Sequence, residues 1–339
     1  MNSLISRRRD FLRTGSFWMA AAAVPGDALA ISAQAGPPPG NDSQGRRRNP
    51  EQCRYNGAMR SAAGALVVSC ALCAGLWFPF ACAAQSQPQS PDLAGIAHVA
   101  LRVADLEKSR DFYRALGFEE AFSMNQGGTP TEAFIKVNDR QFIELYPQRQ
   151  SSQPIGFMHV CFESNNLEAL NRFYLDGGLS PIPVRRAGAG NLLFTLAGPE
   201  QQNVEYTQYM PGSRHWNDRG QHLSASRISG QIVAAGIEFR DPAAALTFYE
   251  QKLGFSLDPP VHPGHTWLWL PGSSHQFVQI EPQAPGAAFS LFLLTPDLRR
   301  AAAELKSLHI AAEKRRSTLS IQDPDGNRIV FLKARTAGK

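Results

Sequence analysis

Two histidines and two glutamates lie in short apolar segments whose residue types favour strands. His98 lies in GIAHVALRV and His159 in GFMHVCFE, while Glu144 lies in QFIELYP and Glu205 in QNVEYTQY. A buried carboxylate or an unpaired imidazole is costly unless a partner compensates it. A divalent cation compensates all four groups at once, because imidazole and carboxylate are ligands for zinc, iron, manganese, nickel and cobalt. The four residues therefore predict one mononuclear site for a divalent metal ion.

The spacing of these residues favours one shared site over four independent positions. Taken singly, a strand histidine is more often a hydrogen-bonded core or surface residue than a ligand, and a strand glutamate usually faces solvent. However, Glu144 follows His98 by 46 residues, and Glu205 follows His159 by the same 46. Each histidine also precedes a Phe-Tyr pair by 14 residues. Loops tolerate insertions cheaply, so equal registers indicate copies of one structural unit.

Four such units follow one another along the chain. Each begins with an apolar strand, continues through an amphipathic helix and closes with an alternating strand, the fourth unit being the least regular. One unit is too small for a good core and should pair with its neighbour. The prediction is an α+β fold of four βαβββ repeats paired into two cupped-sheet domains, 92–212 and 231–335, with an interdomain loop at 213–230.

The second pair of units lacks the predicted ligands. The positions equivalent to His98, Glu144, His159 and Glu205 are occupied by Ala234, Gln279, Ser290 and Val330. Glu238 and Glu281 lie nearby but out of register, and we expect Glu281 to be an ordinary edge or surface carboxylate. The sequence therefore predicts that domain 231–335 holds no metal and serves as a partner that covers or shapes the site.

The order strand-His, helix with Phe-Tyr, Leu-Gly-Phe and strand-Glu resembles the vicinal oxygen chelate superfamily, which includes glyoxalase I, bleomycin resistance proteins and extradiol dioxygenases. The resemblance covers about 95–333. It implies a cupped, incompletely closed barrel with a metal ion on its concave side. The implied substrate binds this ion through two adjacent oxygens. It also implies Glu205 or Glu144 as the catalytic base. Some relatives bind the metal through only two histidines and one glutamate. If this chain does the same, Glu144 is the residue that is not a ligand. A metal in the first domain reverses the layout of two-domain extradiol dioxygenases.

The loop after the Glu205 strand contains two further candidates for acid–base chemistry, His215 and His222. A loop that leaves the end of this strand can reach the mouth of the cup, and histidine titrates near neutral pH. A solvated interdomain linker explains the same residues equally well.

The N-terminal segment predicts export and is kept apart from the fold. Residues 1–35 contain SRRRDFLR followed by an apolar stretch, which resembles a twin-arginine signal. The linker 36–91 contains a second uncharged segment, 61–84, preceded by Met59, which is an alternative start. This segment is either cleaved as a secretory signal or retained as a membrane anchor, since its 24 residues could span a bilayer. The predicted location is periplasmic or extracellular, or anchored in the membrane and facing outside.

Composition narrows the function classes further. Part of the net charge of +5 comes from arginines in the first 60 residues, and no basic stripe with aromatic residues supports nucleic-acid binding. Only Cys161 lies beyond the export segments, so no internal disulfide is predicted and this thiol is interpreted as a buried hydrophobe. The function predicted from the sequence is an exported metal-dependent enzyme of the lyase, isomerase or dioxygenase type, acting on a small oxygenated molecule. The alternative is a non-catalytic small-molecule-binding protein of the bleomycin resistance type.

Overall fold

Two eight-stranded sheets, each with two helices on one face, make up the part of the chain that the computed structural model describes, namely residues 91, 93–257, 266–272, 274–283 and 289–334. The first sheet comprises β1 (Leu93–Val103), β2 (Glu119–Gln126), β3 (Thr129–Asn138), β4 (Gln141–Pro147), β5 (Gly156–Ser164), β6 (Arg185–Arg186), β7 (Leu192–Ala197) and β8 (Asn203–Gln208). Its helices are α1 (Leu106–Ala115) and α2 (Leu167–Asp176). A short helix, α3 (Arg214–Asn217), follows β8.

The second sheet repeats this order. It comprises β9 (Gln231–Phe239), β10 (Ser256–Leu257), β11 (Thr266–Trp269), β12 (Phe277–Pro282), β13 (Ser290–Thr295), β14 (Glu313–Lys314), β15 (Thr318–Gln322) and β16 (Arg328–Lys333). Its helices are α4 (Pro242–Gln251) and α5 (Leu298–Ser307).

Strand order confirms the predicted fold of paired βαβββ repeats. The first sheet runs β2-β3-β4-β1-β5-β8-β7-β6, and the second runs β10-β11-β12-β9-β13-β16-β15-β14. Each repeat contributes four strands, of which the first and last are parallel neighbours. Two repeats join where their first strands pair antiparallel, β1 with β5 and β9 with β13. This central pairing lets each unit share a core with its partner.

The same N-terminal cap starts the helix of every repeat. A short polar side chain accepts hydrogen bonds from backbone N–H groups of the first turn, which have no partner within the helix. The capping residues are Asp105, Asn166, Asp241 and Asp297. Each helix then packs a tyrosine or leucine into the core, which fixes the helix on one face of its sheet.

A reciprocal pair of glutamines joins the two sheets. Gln141 accepts a hydrogen bond from the backbone N–H of Ile232 at 2.8 Å, and Gln276 accepts one from the N–H of Ile96 at 2.6 Å. Gln141 lies at the start of β4 and Gln276 just before β12, so the contact repeats with the roles of the sheets exchanged. Buried amides of this kind satisfy backbone groups that the interface removes from water.

The predicted export signal and the segment 61–84 lie outside the described residues. Among the helices at 106–307 that the structure does describe, none combines the length and apolar character that crossing a bilayer requires.

Candidate metal centre

Four adjacent strands, β4, β1, β5 and β8, bring the predicted ligands onto one face of the first sheet. Side chains alternate between faces along a strand. Glu144 lies between Ile143 and Leu145, whose side chains belong to the core beneath the helices, and Glu205 likewise lies between Val204 and Tyr206. The ligands therefore occupy the face that points away from α1 and α2, which we call the site face.

Three donor atoms of this group converge on one point. The Nε2 atoms of His98 and His159 are 3.1 Å apart, and the Oε1 atom of Glu205 lies 3.3 Å from the first and 3.8 Å from the second. Ligand atoms about 2.1 Å from a common ion lie roughly 3.0 to 3.5 Å from one another. The separations of 3.1 and 3.3 Å lie within this range and the third, 3.8 Å, is slightly longer, so the three atoms are placed to share one small divalent cation.

Glu144 is also part of the cluster, but it approaches the other side of the imidazole. Its Oε1 atom lies 2.9 Å from Nδ1 of His98. The ring N–H is not directed at this oxygen, so Nδ1 is a buried polar atom without a hydrogen-bond partner among the described residues. An unpartnered nitrogen inside a His/Glu cluster is costly. The donor set of imidazole and carboxylate groups therefore fits a divalent cation.

Glu205, Glu144 and His159 have protonation states that suit a cation. Burial lowers the pKa of His98, but Cys161 and Glu144 outweigh this effect and raise it well above its usual value, so a cation would displace a proton from this ring. Burial raises the pKa of Glu205, but the two imidazoles outweigh this effect and lower it below its usual value. Burial likewise raises the pKa of Glu144, and His98 brings it down to about 2. Burial lowers the pKa of His159, which keeps this ring neutral. Ionised carboxylates and a neutral imidazole are the forms that bind metals.

A second carboxylate, Glu132 on β3, lies behind Glu144. The hydroxyl of Tyr146 donates to Glu132 in a short hydrogen bond and lies 3.1 Å from Oε2 of Glu144. Burial and the charge of Glu144 raise the pKa of Glu132 to about 9, so this carboxyl holds a proton at neutral pH. Glu132 and Tyr146 were not predicted as site residues, although both lie at site-face positions of their strands. Together they fix the position of Glu144.

We expect Tyr146→Phe to lower the affinity for a divalent metal by roughly 10-fold to 100-fold, the usual effect of losing an outer-shell partner. The variant keeps the ring but removes the hydroxyl that bridges Glu132 and Glu144. Isothermal titration with Mn²⁺ measures the change. Tyr113→Phe is the matched control, because this buried tyrosine in α1 contacts Asp323 and none of the candidate ligands. Equal affinities in both variants would show that Glu144 needs no such support.

Cys161 lies beside the cluster on β5, two residues beyond His159. Its thiol comes close enough to His98 and Glu205 for a shared ion. Burial raises the pKa of this thiol well above its usual value, so it remains protonated, whereas metals bind the thiolate. The structure agrees with the interpretation of Cys161 as a buried small side chain.

The two loop histidines have different environments. His215 on α3 is 3% exposed and is surrounded by the rings of Phe122, Phe134, Phe142 and Tyr209, with centroid distances of 4.7 to 5.2 Å. Neither of its ring nitrogens has a hydrogen-bond partner among the described residues. His222 instead contacts the Asp218 carboxylate and is half-exposed. The structure thus brings His215, but not His222, to the site face.

Buried His215 should make folding stability depend on pH. Burial lowers its pKa to about 4, whereas a histidine in an unfolded chain titrates near 6.5. The unfolded state therefore binds the proton first. The stability contributed by neutral His215 is complete above about pH 6.5 and is lost, by up to about 3 kcal/mol, as the pH falls through about 4. We expect His215→Leu to flatten this dependence in urea unfolding at several pH values.

His309→Asn provides the control for the His215 experiment. His309 is exposed and has a left-handed backbone (φ 57°), which asparagine tolerates. Its substitution should leave the pH profile of the wild type unchanged. If His215→Leu and wild type lose stability in parallel between about pH 6.5 and 4, the buried neutral state assigned to His215 is wrong.

A buried lysine, which no sequence pattern indicates, holds the loop that carries His215. Lys136 on β3 is completely buried, and its ammonium lies 2.6 Å from both the carboxylate and the carbonyl oxygen of Asp218. Asp139 contacts the same ammonium at 2.9 Å. The segment is therefore held on the first sheet by charge pairing and is not a solvated linker at this point.

In the second sheet, matching registers place Ala234, Gln279, Ser290 and Val330 at the positions of the four ligands. The prediction for Glu281 is wrong: it lies on an interior strand, its side chain is 13% exposed, and it accepts from Arg328 at 3.3 Å. Arg328 also donates to Ser290 at 3.0 Å. The guanidinium of Arg328 thus supplies positive charge next to Ser290, the residue of the second sheet that is equivalent to His159.

Comparison with known proteins agrees with this architecture. The family model of the Glyoxalase/Bleomycin resistance protein/Dioxygenase superfamily matches residues 95–206 and 231–331. No curated protein sequence is similar enough to count as a match.

Solved structures with the same fold include dioxygenases and a glyoxalase. The 2,3-dioxygenase LapB from Pseudomonas sp. KL28 has a TM-score of 0.54 at 16% identity, over 72% of this chain and 93% of that one. Homoprotocatechuate 2,3-dioxygenase from Arthrobacter globiformis has a TM-score of 0.54 at 17% identity, over 73% and 81%. The Mn(II)-bound glyoxalase from Novosphingobium aromaticivorans has a TM-score of 0.56 at 14% identity, over 71% and 82%. With both sheets matched by the family model, the chain belongs to the Glyoxalase/Bleomycin resistance protein/Dioxygenase superfamily.

Proposed function

We propose that this protein is a metal-dependent enzyme that acts on a small molecule with two adjacent oxygen atoms. The observation that carries the proposal is the convergence of two imidazole nitrogens and one carboxylate oxygen within 3.1 to 3.8 Å of one another on the site face. When bound, a divalent ion supplies a Lewis acid that polarises a substrate oxygen. The ion is zinc, iron, manganese, nickel or cobalt by the chemistry of these donors.

Residues of the chain define what the site can do around that ion. His98, His159 and Glu205 would hold it, and Glu144 is a fourth candidate ligand, in contact with His98. Four protein ligands leave two positions of a six-coordinate ion, which equals the number of oxygens that a bidentate substrate presents. Three protein ligands leave a further position. The role of Glu144 therefore decides which class of reaction the site supports.

Proton transfer, as in an isomerase or lyase, is the reaction we favour. Glu144 is ionised and lies next to Tyr146 and a protonated Glu132, so the site holds both a base and a proton. A carboxylate at this place can remove a proton from the carbon beside a polarised carbonyl, and Glu205 is the other candidate base. His215 is an additional acid–base candidate, because both of its ring nitrogens are buried without a partner among the described residues.

Ring-cleaving dioxygenation is the second candidate. It is favoured by the contact of Glu144 with the far nitrogen of His98, which leaves two histidines and one glutamate as the converging set. Two histidines and one carboxylate with open positions are typical of non-heme iron oxygenases.

One pair of measurements separates these functions. Metal-loaded protein is mixed with α-hydroxyketones in deuterated water, and deuterium uptake at carbon is followed by NMR; the same protein is mixed with catechols in an oxygen electrode. We expect deuterium uptake that Glu144→Gln abolishes in the metal-loaded protein. Oxygen consumption alone would favour the dioxygenase. If neither occurs while the compounds still bind, the protein is a non-catalytic binder of the bleomycin resistance type.

We also propose that the protein is exported through residues 1–35 or through a signal that begins at Met59. The twin arginines and the 61–84 segment support this proposal. N-terminal sequencing of the protein recovered from separated cell fractions tests it. A mature chain that begins after residue 84 and lies outside the cytoplasm is the expected result. An intact chain in the cytoplasm would contradict export, and an intact 61–84 segment in the membrane fraction would indicate an anchor.

A further inference from the structure

A basic cleft lies on the second sheet, in the half of the chain that does not contain the candidate metal ligands. Its cavity of about 220 Å³ is lined by Asp297, Leu298, Thr318 and Leu319 and by the five cations Arg299, Lys314, Arg315, Arg316 and Lys333. These cations come from α5, from β14 and the turn after it, and from the end of β16. Because three separate segments contribute, no basic stripe is visible in the sequence.

The concentration of positive charge here does not follow from the composition. Residues 231–334 contain ten lysines and arginines and ten aspartates and glutamates, so this half of the chain is neutral overall. Half of its cations nevertheless line one small cavity, together with a single acid, Asp297. Local charge asymmetry of this kind attracts an anionic partner.

The first turn of α5 is the most basic among the helices of the four repeats. A helix N-terminus favours acidic residues because the backbone dipole places partial positive charge there. The first turns of α1 and α2 follow this rule with Glu107 and Glu168, but α5 begins with Arg299 and Arg300. Asp297 carries one negative charge against these two positive charges, and its Oδ1 atom accepts hydrogen bonds from the backbone N–H groups of both arginines at 2.7 and 3.4 Å.

Four cations of the cleft form no ion pair at contact distance with a described residue, and the charges of two of them, Arg299 and Lys333, act on Asp297. Arg315 contacts Glu313 at 3.0 Å. None of the other four forms an ion pair with any residue in the described parts of 231–334. Like charges gathered in a cavity repel one another, so an anion that enters the cleft gains from several of them at once.

We propose that the basic cleft binds a soluble, multiply charged anion of the polyphosphate type. Guanidinium groups present paired donors that match phosphate oxygens, and the cleft contains three of them. No aromatic side chain lines it, so it lacks the stacking platform that single-stranded nucleic acids use. A concave cavity with cations on several sides suits a compact ligand better than a flat membrane surface.

Titration of the full-length protein with inorganic tripolyphosphate in low salt tests the proposal. We expect one binding event that weakens as salt is added. Arg299→Gln/Arg316→Gln and, separately, Lys314→Gln/Lys333→Gln should each weaken binding by at least about 10-fold, since each removes two charged hydrogen bonds. Arg185→Gln/Arg186→Gln is the matched control, because it removes the same charge from β6, the strand equivalent to β14 in the first sheet.

Two comparisons make the result specific to the cleft. The variant His98→Ala/His159→Ala should bind tripolyphosphate as the wild type does, because the cleft does not depend on the metal centre. Loss of binding in that variant, equal affinities in all variants, or no binding by the wild type would each overturn the proposal. Binding of phosphatidylglycerol vesicles without binding of tripolyphosphate would also overturn it, in favour of a membrane surface.

Discussion

Glu205→Gln is expected to lower the affinity for a divalent metal by more than about 100-fold, beyond the 10-fold to 100-fold effect of an outer-shell loss. The substitution keeps the shape of the side chain but removes the charge that faces both imidazoles, at 3.3 Å from His98 and 3.8 Å from His159. A neutral amide oxygen is a poorer ligand, and the two imidazole nitrogens then face each other without a compensating anion. Isothermal titration with Mn²⁺ or Zn²⁺ measures the change.

Glu163→Gln is the matched control for this experiment. Glu163 also lies on the first sheet, and its carboxylate accepts from Arg140 at 2.7 Å, outside the ligand cluster. Its substitution should leave metal affinity within about twofold of the wild type, a difference of only a few tenths of a kcal/mol. If Glu205→Gln behaves like this control, Glu205 is not a ligand and the convergence of donor atoms has another cause.

Lys136→Met is expected to destabilise the fold by about 3 to 5 kcal/mol, the usual cost of removing one partner from a buried ion pair. Lys136 is completely buried, and its loss leaves the carboxylate of Asp218 inside the protein with His222 as its remaining partner. The free energy of unfolding from urea titration measures the effect. We also expect the segment that carries His215 to exchange its amide hydrogens faster in this variant.

The Lys136 prediction has an internal test and an external control. Lys136→Met/Asp218→Leu should recover part of the lost stability, because neither charge is then left without its partner. Lys306→Met, at an exposed position of α5, should change stability by less than about 0.5 kcal/mol. A loss below about 1 kcal/mol for Lys136→Met would mean that water or another cation replaces the ammonium.

The repeats were predictable from the sequence because strand alternation and loop length are local properties. The equal spacings after His98 and His159 fixed which strands had to be neighbours, and strand order bears out the paired repeats. The structure brings the side chains of His98, His159, Glu144 and Glu205 together, but the side of the imidazole that Glu144 contacts depends on a ring orientation that no sequence pattern specifies.

Residues that depend on the long segment after β8 could not be predicted. Lys136 alternates with apolar residues in β3 and would be interpreted as a solvent-facing strand position, and only the folding of Asp218 onto it makes it buried. His215 and His222 were equivalent in the sequence. The aromatic residues that surround His215, among them Phe122 and Phe142, belong to strands 73 to 93 residues earlier.

The second sheet shows the same limit. The absence of ligands at the equivalent positions was visible from the register, whereas the pairing of Arg328 with Glu281 was not. The sequence position of Glu281 alone predicts a surface carboxylate, because the arginine that pairs with it lies on β16, far away in the sequence. Side chains that meet across strands far apart in the sequence require the register of both strands.

Elemental mass spectrometry of protein purified without added metal is the most direct test of the metal centre. The wild type and Ser290→Ala, which alters the equivalent position in the second sheet, should contain about one transition metal ion per chain, as a mononuclear site requires. The double variant His98→Ala/His159→Ala should contain essentially none. Absence of metal from the wild type, even after incubation with each candidate ion, or retention of metal by the double variant would contradict the assignment of this site.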